Sequence, residues 1–167
     1  MVYFIIILFV ISVLIVYIYF INILLKLYKK TADKYESLSF IYEAYYNVTS
    51  LWIRNKNKNK NIEAYLANKG IKYIAVYGAG KLGELLYEEL KNASLVKIKY
   101  IIDRNTVNDK FGNLPVINID QIDLMDKIDA IVVTPIYVYE DIKNFLIDKG
   151  IKIVLCIDDI IYDIAGL

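Results

Sequence analysis

The sequence predicts an α/β fold, a parallel sheet preceded by one transmembrane helix and a helical linker, and three observations predict it. Residues 2–25 carry no charged side chain. Residues 31–53 contain neither glycine nor proline and repeat their aromatic residues at helical spacing. From Ile71 onward, short β-branched runs alternate with amphipathic helical segments, the order that yields right-handed crossovers and a sheet covered on both faces. The chain therefore divides into a transmembrane helix (1–25), a helical linker with an Asn/Lys loop (26–70) and an α/β domain (71–167).

In the first segment only Ser12 and Asn22 interrupt an apolar and aromatic run. A helix of this length rises roughly 36 Å at about 1.5 Å per residue, enough to cross a hydrocarbon core of about 30 Å. A cleaved signal peptide would want basic residues before the run and small residues at a cleavage site after it, and neither is present. Lys26, Lys29, Lys30 and Lys34 follow instead. The positive-inside bias then predicts a single-pass protein of the cell membrane with its C-terminal domain cytoplasmic, and the same lysines favour anionic lipid of the inner membrane.

Composition narrows the chemistry. A net charge of +1 gives no reason to expect nucleic acid as a partner. There is no histidine and one cysteine, which removes the commonest zinc ligand, any Cys-x-x-Cys site and any internal disulfide, so no metal is expected. Cys156 lies in an apolar run and reads as core packing.

In the linker, Tyr35, Leu38, Tyr42, Tyr45, Thr49 and Trp52 recur at alternating steps of three and four and form one stripe. That stripe docks on the following domain, lies at the membrane interface or pairs with a second copy as a homodimer; docking or self-association is the preferred reading. The run "RNKNKNKN" at residues 54–61 has nothing apolar to bury and reads as a solvated loop. A short helix at 62–69 ends at Gly70, which suits a left-handed cap.

In the α/β domain, strands are expected at 72–77, 96–102, 114–117, 130–134 and 151–157. Helices are expected at 81–91 and 139–148, with a short helical turn at the C-terminus. Between the first strand and the first helix stands "VYGAGKLGELL", in which Gly78, Gly80 and Gly83 have the spacing G-x-G-x-x-G. In that context the three glycines do different things. Gly78 permits the tight turn, Gly80 lets a pyrophosphate approach the backbone, and Gly83 allows close helix-to-strand packing. The amides of Ala79, Gly80, Lys81 and Leu82 then face an anion at the positive end of the helix.

Asp103 ends the second strand 20 residues after Gly83, where a carboxylate accepts hydrogen bonds from ribose hydroxyls. Arg104 beside it would meet a 2′-phosphate or stack on adenine. Thr134 and Pro135 end a later strand at the sheet's carboxyl edge, where their backbone would line the same crevice. The domain is thus expected to be Rossmann-like and to bind NAD(P) or a nucleotide-sugar. The opposing expectation is that the loop makes only a turn and that Asp103 caps the next loop with Asn105.

The stretches "IAVYGAGKLGELLYEEL", "YIIDRN", "FGNLPVINIDQI" and "IDAIVVTP" resemble the CoA-binding-like nucleotide module of membrane-bound nucleoside-diphosphate-sugar epimerases and dehydratases of bacterial polysaccharide biosynthesis. The resemblance covers residues 71–157 and includes Gly112, Pro115 and Val116 as a G-x-x-P-V element. In that family a larger catalytic domain follows the module, whereas this sequence ends at Leu167. The resemblance therefore implies binding or regulation beside glycan-assembly enzymes, with an NAD-dependent epimerase completed by a partner subunit as the alternative, and a structural membrane adaptor as a further one.

No catalytic residue is assigned. Tyr-x-x-x-Lys, the proton-transfer pair of short-chain dehydrogenases, occurs four times, and only Tyr139 with Lys143 follows a late strand. Glu88 with Glu89 and Asp158 with Asp159 read as solvated helix faces.

Overall fold

A computed structural model describes residues 1–104, 110–124 and 127–167. These form two compact units, 1–45 and 46–167.

The first unit is helical from Val2 onward. It belongs to α1 (Val2–Asn57), a single helix of 56 residues where a span and a separate linker helix were expected. Its N-terminal part is long and apolar enough to cross a membrane, and none of its most apolar 18-residue window is buried by protein. In water that exposure would be costly, because apolar area gains only when removed from solvent.

In the second unit the end of α1 is followed by α2 (Ile62–Asn68), β1 (Tyr73–Tyr77), α3 (Lys81–Leu90), β2 (Lys97–Ile102) and β3 (Lys110–Phe111). Then come β4 (Leu114–Ile117), β5 (Ala130–Val133), α4 (Tyr139–Asp148), β6 (Val154–Cys156) and α5 (Ile157–Ala165). The six strands make one sheet in the order β3-β4-β2-β1-β5-β6. Pairings among β4, β2, β1, β5 and β6 are parallel, and β3 runs antiparallel to β4. The sheet is therefore mixed rather than purely parallel. The correction comes from a hairpin, in which Gly112 at φ +61 turns the chain so that Phe111 faces Leu114.

Alternation along β1 sends Ala75 and Tyr77 to one face and Ile74 and Val76 to the other, and all four are buried. Ala75 and Tyr77 share a cluster with Tyr100, Ile102, Ile131, Val133 and the α4 residues Ile142 and Leu146. Helix α3 buries Leu82, Leu86 and Leu90, at the i, i+4, i+8 spacing of one helical stripe. The expected C-terminal turn is a nine-residue helix, α5, held by buried Ile157, Ile160 and Ile161.

The "RNKNKNKN" reading is overturned at its start. Residues 54–57 continue α1, and Asn55 is buried with its amide donating to the Ile161 carbonyl at 2.9 Å. Of the aromatic stripe only Trp52 is buried, while Tyr35 and Tyr42 are exposed, and the buried residues beside Trp52, Val48 and Leu51, lie off the stripe. Gly70 has φ +76 just past α2, as a left-handed cap requires.

Candidate functional site

The carboxyl ends of the central strands are level. Tyr77 of β1 is in register with Ile102 of β2 and with Val133 of β5, so Gly78, Asp103 and Thr134 leave the sheet side by side. The chain moves outward from β1 to β2 and β4, then returns to β5 and β6 on the other side of β1. The reversal opens at the carboxyl edge of β1 and β5, the position where open α/β sheets bind ligands.

Gly78 leaves β1 with φ +102, and its N–H still donates to Ile102 at 2.8 Å. A Cβ there would come within 2.7 Å of Thr134 Oγ1 and 2.9 Å of Pro135 Cδ. A Cβ on Gly83 would meet the Gly78 carbonyl oxygen at 2.1 Å. Both glycines are thus demanded by the fold: one by backbone conformation and contact, the other by close approach of α3 to the turn. Gly80 is different. Its φ of −80° and ψ of −170° suit any residue, and nothing lies within 4 Å of a Cβ built on it.

Gly80 is also the N-cap of α3, and no side chain caps that helix. First-turn amides have no intrahelical acceptor, and the N–H groups of Gly80, Lys81 and Leu82 find no partner among the described residues. Ala79 does have one: its N–H donates to Asp103 Oδ2 at 2.8 Å. The expected four-amide seat is therefore narrowed, because the parallel register of β1 and β2 sets the Asp103 carboxylate beside the loop's first peptide. A carboxylate has about four lone-pair directions, and the Ala79 amide takes one. Its negative charge there pushes any phosphate toward Gly80, Lys81 and Leu82. The expected Asp103 contact with Asn105 lies outside the described residues.

The other predicted residues sort clearly. Thr134 is buried, and its hydroxyl lies 3.1 Å from the Tyr77 carbonyl oxygen and 3.2 Å from that of Gly78, so it braces the turn. Pro135 packs against Gly78. The Leu82 side chain is core, and the Lys81 ammonium is drawn to Glu84 at 2.9 Å on the exposed face of α3. Arg104 donates through Nε to the Tyr77 hydroxyl at 3.0 Å, and its guanidinium carbon stands 6.0 Å from the Phe145 ring centre. Tyr77 and Phe145, which orient this cation at the same edge, are the residues that sequence spacing missed. The only sign of Tyr77's role is its place immediately before the glycine loop.

The Tyr139 and Lys143 pair is not arranged for proton transfer. The Tyr139 hydroxyl donates to the Val154 carbonyl at 3.1 Å, and burial pushes its pKa up to about 12. A dehydrogenase lysine would have to push it down. Lys143 lies 3.5 Å from Glu140 instead. Burial also raises the Cys156 thiol, which keeps it protonated near neutral pH, although Cys156, Asp158 and Asp159 offer ligand atoms within 4.8 Å of one another. Asp158 and Asp159 sit in the first turn of α5, as expected of acids at a helix start.

No protein-family model and no curated protein sequence matches this chain.

Proposed function

We propose that this protein is a membrane-anchored module whose Rossmann-like domain binds a nucleotide or nucleotide-sugar, NAD(P) among the candidates, on the cytoplasmic side of the cell membrane. It acts there as a sensor or accessory protein beside the enzymes of surface-glycan assembly. The observation that carries the binding reading is Gly80. Glycine at a helix N-cap forgoes a few tenths of a kcal/mol relative to Ser or Asp. Nothing in the protein's own packing offsets that loss, whereas an approaching phosphate would. The strand order and the uncapped start of α3 at the reversal support the same reading, and the apolar half of α1 supports the anchor. The glycan setting rests on the resemblance of residues 71–157.

The bond between Asp103 and Ala79 favours one second reading, a structural adaptor whose loop is closed by its own carboxylate. Thermal unfolding of the full chain in detergent separates the two. A ligand that binds only the folded state stabilises it by about 2.7 kcal/mol at one hundred times its Kd. NAD, UDP-glucose and CoA are the probes; a saturable rise in Tm with one of them is the expected result. No rise with any of the three, and no small molecule retained in a native mass spectrum of protein from its own host, establishes the adaptor instead.

A further inference from the structure

A cavity lies at the sheet edge opposite the glycine loop, where β5 and β6 begin. It has a volume of about 560 Å³, within the usual range of ligand pockets of about 300–1,000 Å³. Tyr100, Ile122, Ile128 and Ile151 give it a hydrocarbon wall, and Lys127, Lys149 and Lys152 stand around it. Lys149 is 3.7 Å from Asp120, while Lys127 and Lys152 have no acidic partner among the described residues.

The one acid in the wall is already committed. Asp129 Oδ2 accepts from the N–H groups of Lys72 and Tyr73, both at 2.8 Å, tying the start of β1 to the start of β5. The carboxyl end of α4 is closed by its own cap, in which the amides of Lys149, Gly150 and Ile151 donate to Phe145, Ile147 and Leu146. Cationic side chains therefore set the charge that a ligand meets, over an apolar floor.

We propose that this cavity binds a small amphiphilic anion, a phosphate or carboxylate borne on an apolar or aromatic body. The ammonium groups of Lys127 and Lys152 would hold the anion, and the tyrosine and isoleucine wall would take the body. The site is independent of the glycine loop, since β1 and β5 run from one edge to the other. A soluble metabolite and an anionic lipid headgroup present the same chemistry.

The test uses the full chain in nanodiscs of zwitterionic lipid, labelled at isoleucine methyl groups, and titrated with phenyl phosphate. Saturable shifts at Ile122, Ile128 and Ile151 are expected, with phenol and inorganic phosphate binding at least tenfold more weakly. Lys127→Ala with Lys152→Ala should weaken phenyl phosphate at least tenfold and leave the unfolding temperature unchanged, because both side chains are exposed. Shifts confined to Ile102 and Ile117, at the glycine-loop edge, or equal affinity in the double variant, would overturn the proposal. Phosphatidylglycerol added to the discs identifies the source: competition with phenyl phosphate points to a lipid headgroup, and none points to a soluble anion.

Discussion

Gly78, Gly80 and Gly83 look alike in the sequence and differ in what the structure asks of them. Gly83→Ala forces a methyl onto the Gly78 carbonyl oxygen, and overpacking of this kind costs about 1–3 kcal/mol. Gly80→Ala meets open space and should move stability by less than about 1 kcal/mol, since the lost N-cap preference and the gained chain stiffness oppose each other. Denaturant unfolding of the two variants checks the contrast; equal destabilisation would mean that Gly80 also has a packing role. The spacing made the loop legible, but it could not separate these roles, because they depend on which atoms pack behind each Cα. Nor could it reveal that Asp103 turns to Ala79, since a distance along the chain says nothing of which neighbour a carboxylate faces.

Acid sensitivity belongs to the same scale. The N–H groups of Tyr73 and then Lys72 lower the Asp129 pKa from 3.8, and the amide of Leu95 leads in lowering that of Glu63 from 4.5. A depressed carboxyl contributes stability that is complete above the unfolded value and lost as pH falls through the folded one. Stability should therefore decline below about pH 4.5, and Asp129→Asn with Glu63→Gln, which keep an acceptor oxygen, should flatten that decline. An unchanged pH profile would show that other carboxyls carry it.

Among elements, the joint between α1 and α3 is the least foreseeable feature. Glu89 sits in the last turn of α3, where a negative charge opposes the helix dipole. The expectation of a solvated Glu89 fails, since its side chain is only 7% exposed. It accepts from Trp52 Nε1 at 2.7 Å and from the Ile62 N–H at 2.9 Å, with Lys56 at 3.5 Å. Glu89→Gln turns charge-assisted bonds into neutral ones and should cost about 1–3 kcal/mol. Because the chain has a single tryptophan, the change should be visible in its fluorescence. Unaltered emission and stability would contradict this account of the joint.

Elements with strong periodicity were legible in the sequence: α4 and β4 match their expected bounds, and β1, α3 and β2 come within one residue. Strand β3 and the length of α5 were not, since a two-residue strand has no period to read and the hydrophobic face of α5 follows directly on β6. Asn55 misled for a related reason, in that its amide is buried by a carbonyl 106 residues away.

At the scale of the molecule, the second compact unit begins at Tyr46. A fragment starting at residue 62 would lose buried Val48, Leu51, Trp52 and Asn55. It should unfold at markedly lower temperature than one starting at residue 46, and calorimetry on the two reads this directly; equal melting would show that the end of α1 is dispensable. The apolar half of α1 should keep the full chain in the membrane fraction after alkaline carbonate extraction, and release into the supernatant would refute the anchor.

The binding claim turns on what fills the start of α3, and Gly80→Asp tests it most directly. Asp is a better N-cap than Gly and favours the positive end of a helix, so the variant should melt at or above the wild-type temperature without ligand. Its carboxylate would occupy the phosphate seat, and the rise in Tm given by NAD, UDP-glucose or CoA in the wild type should vanish. A variant that is equally stable and still shows the full ligand-induced rise would contradict the account.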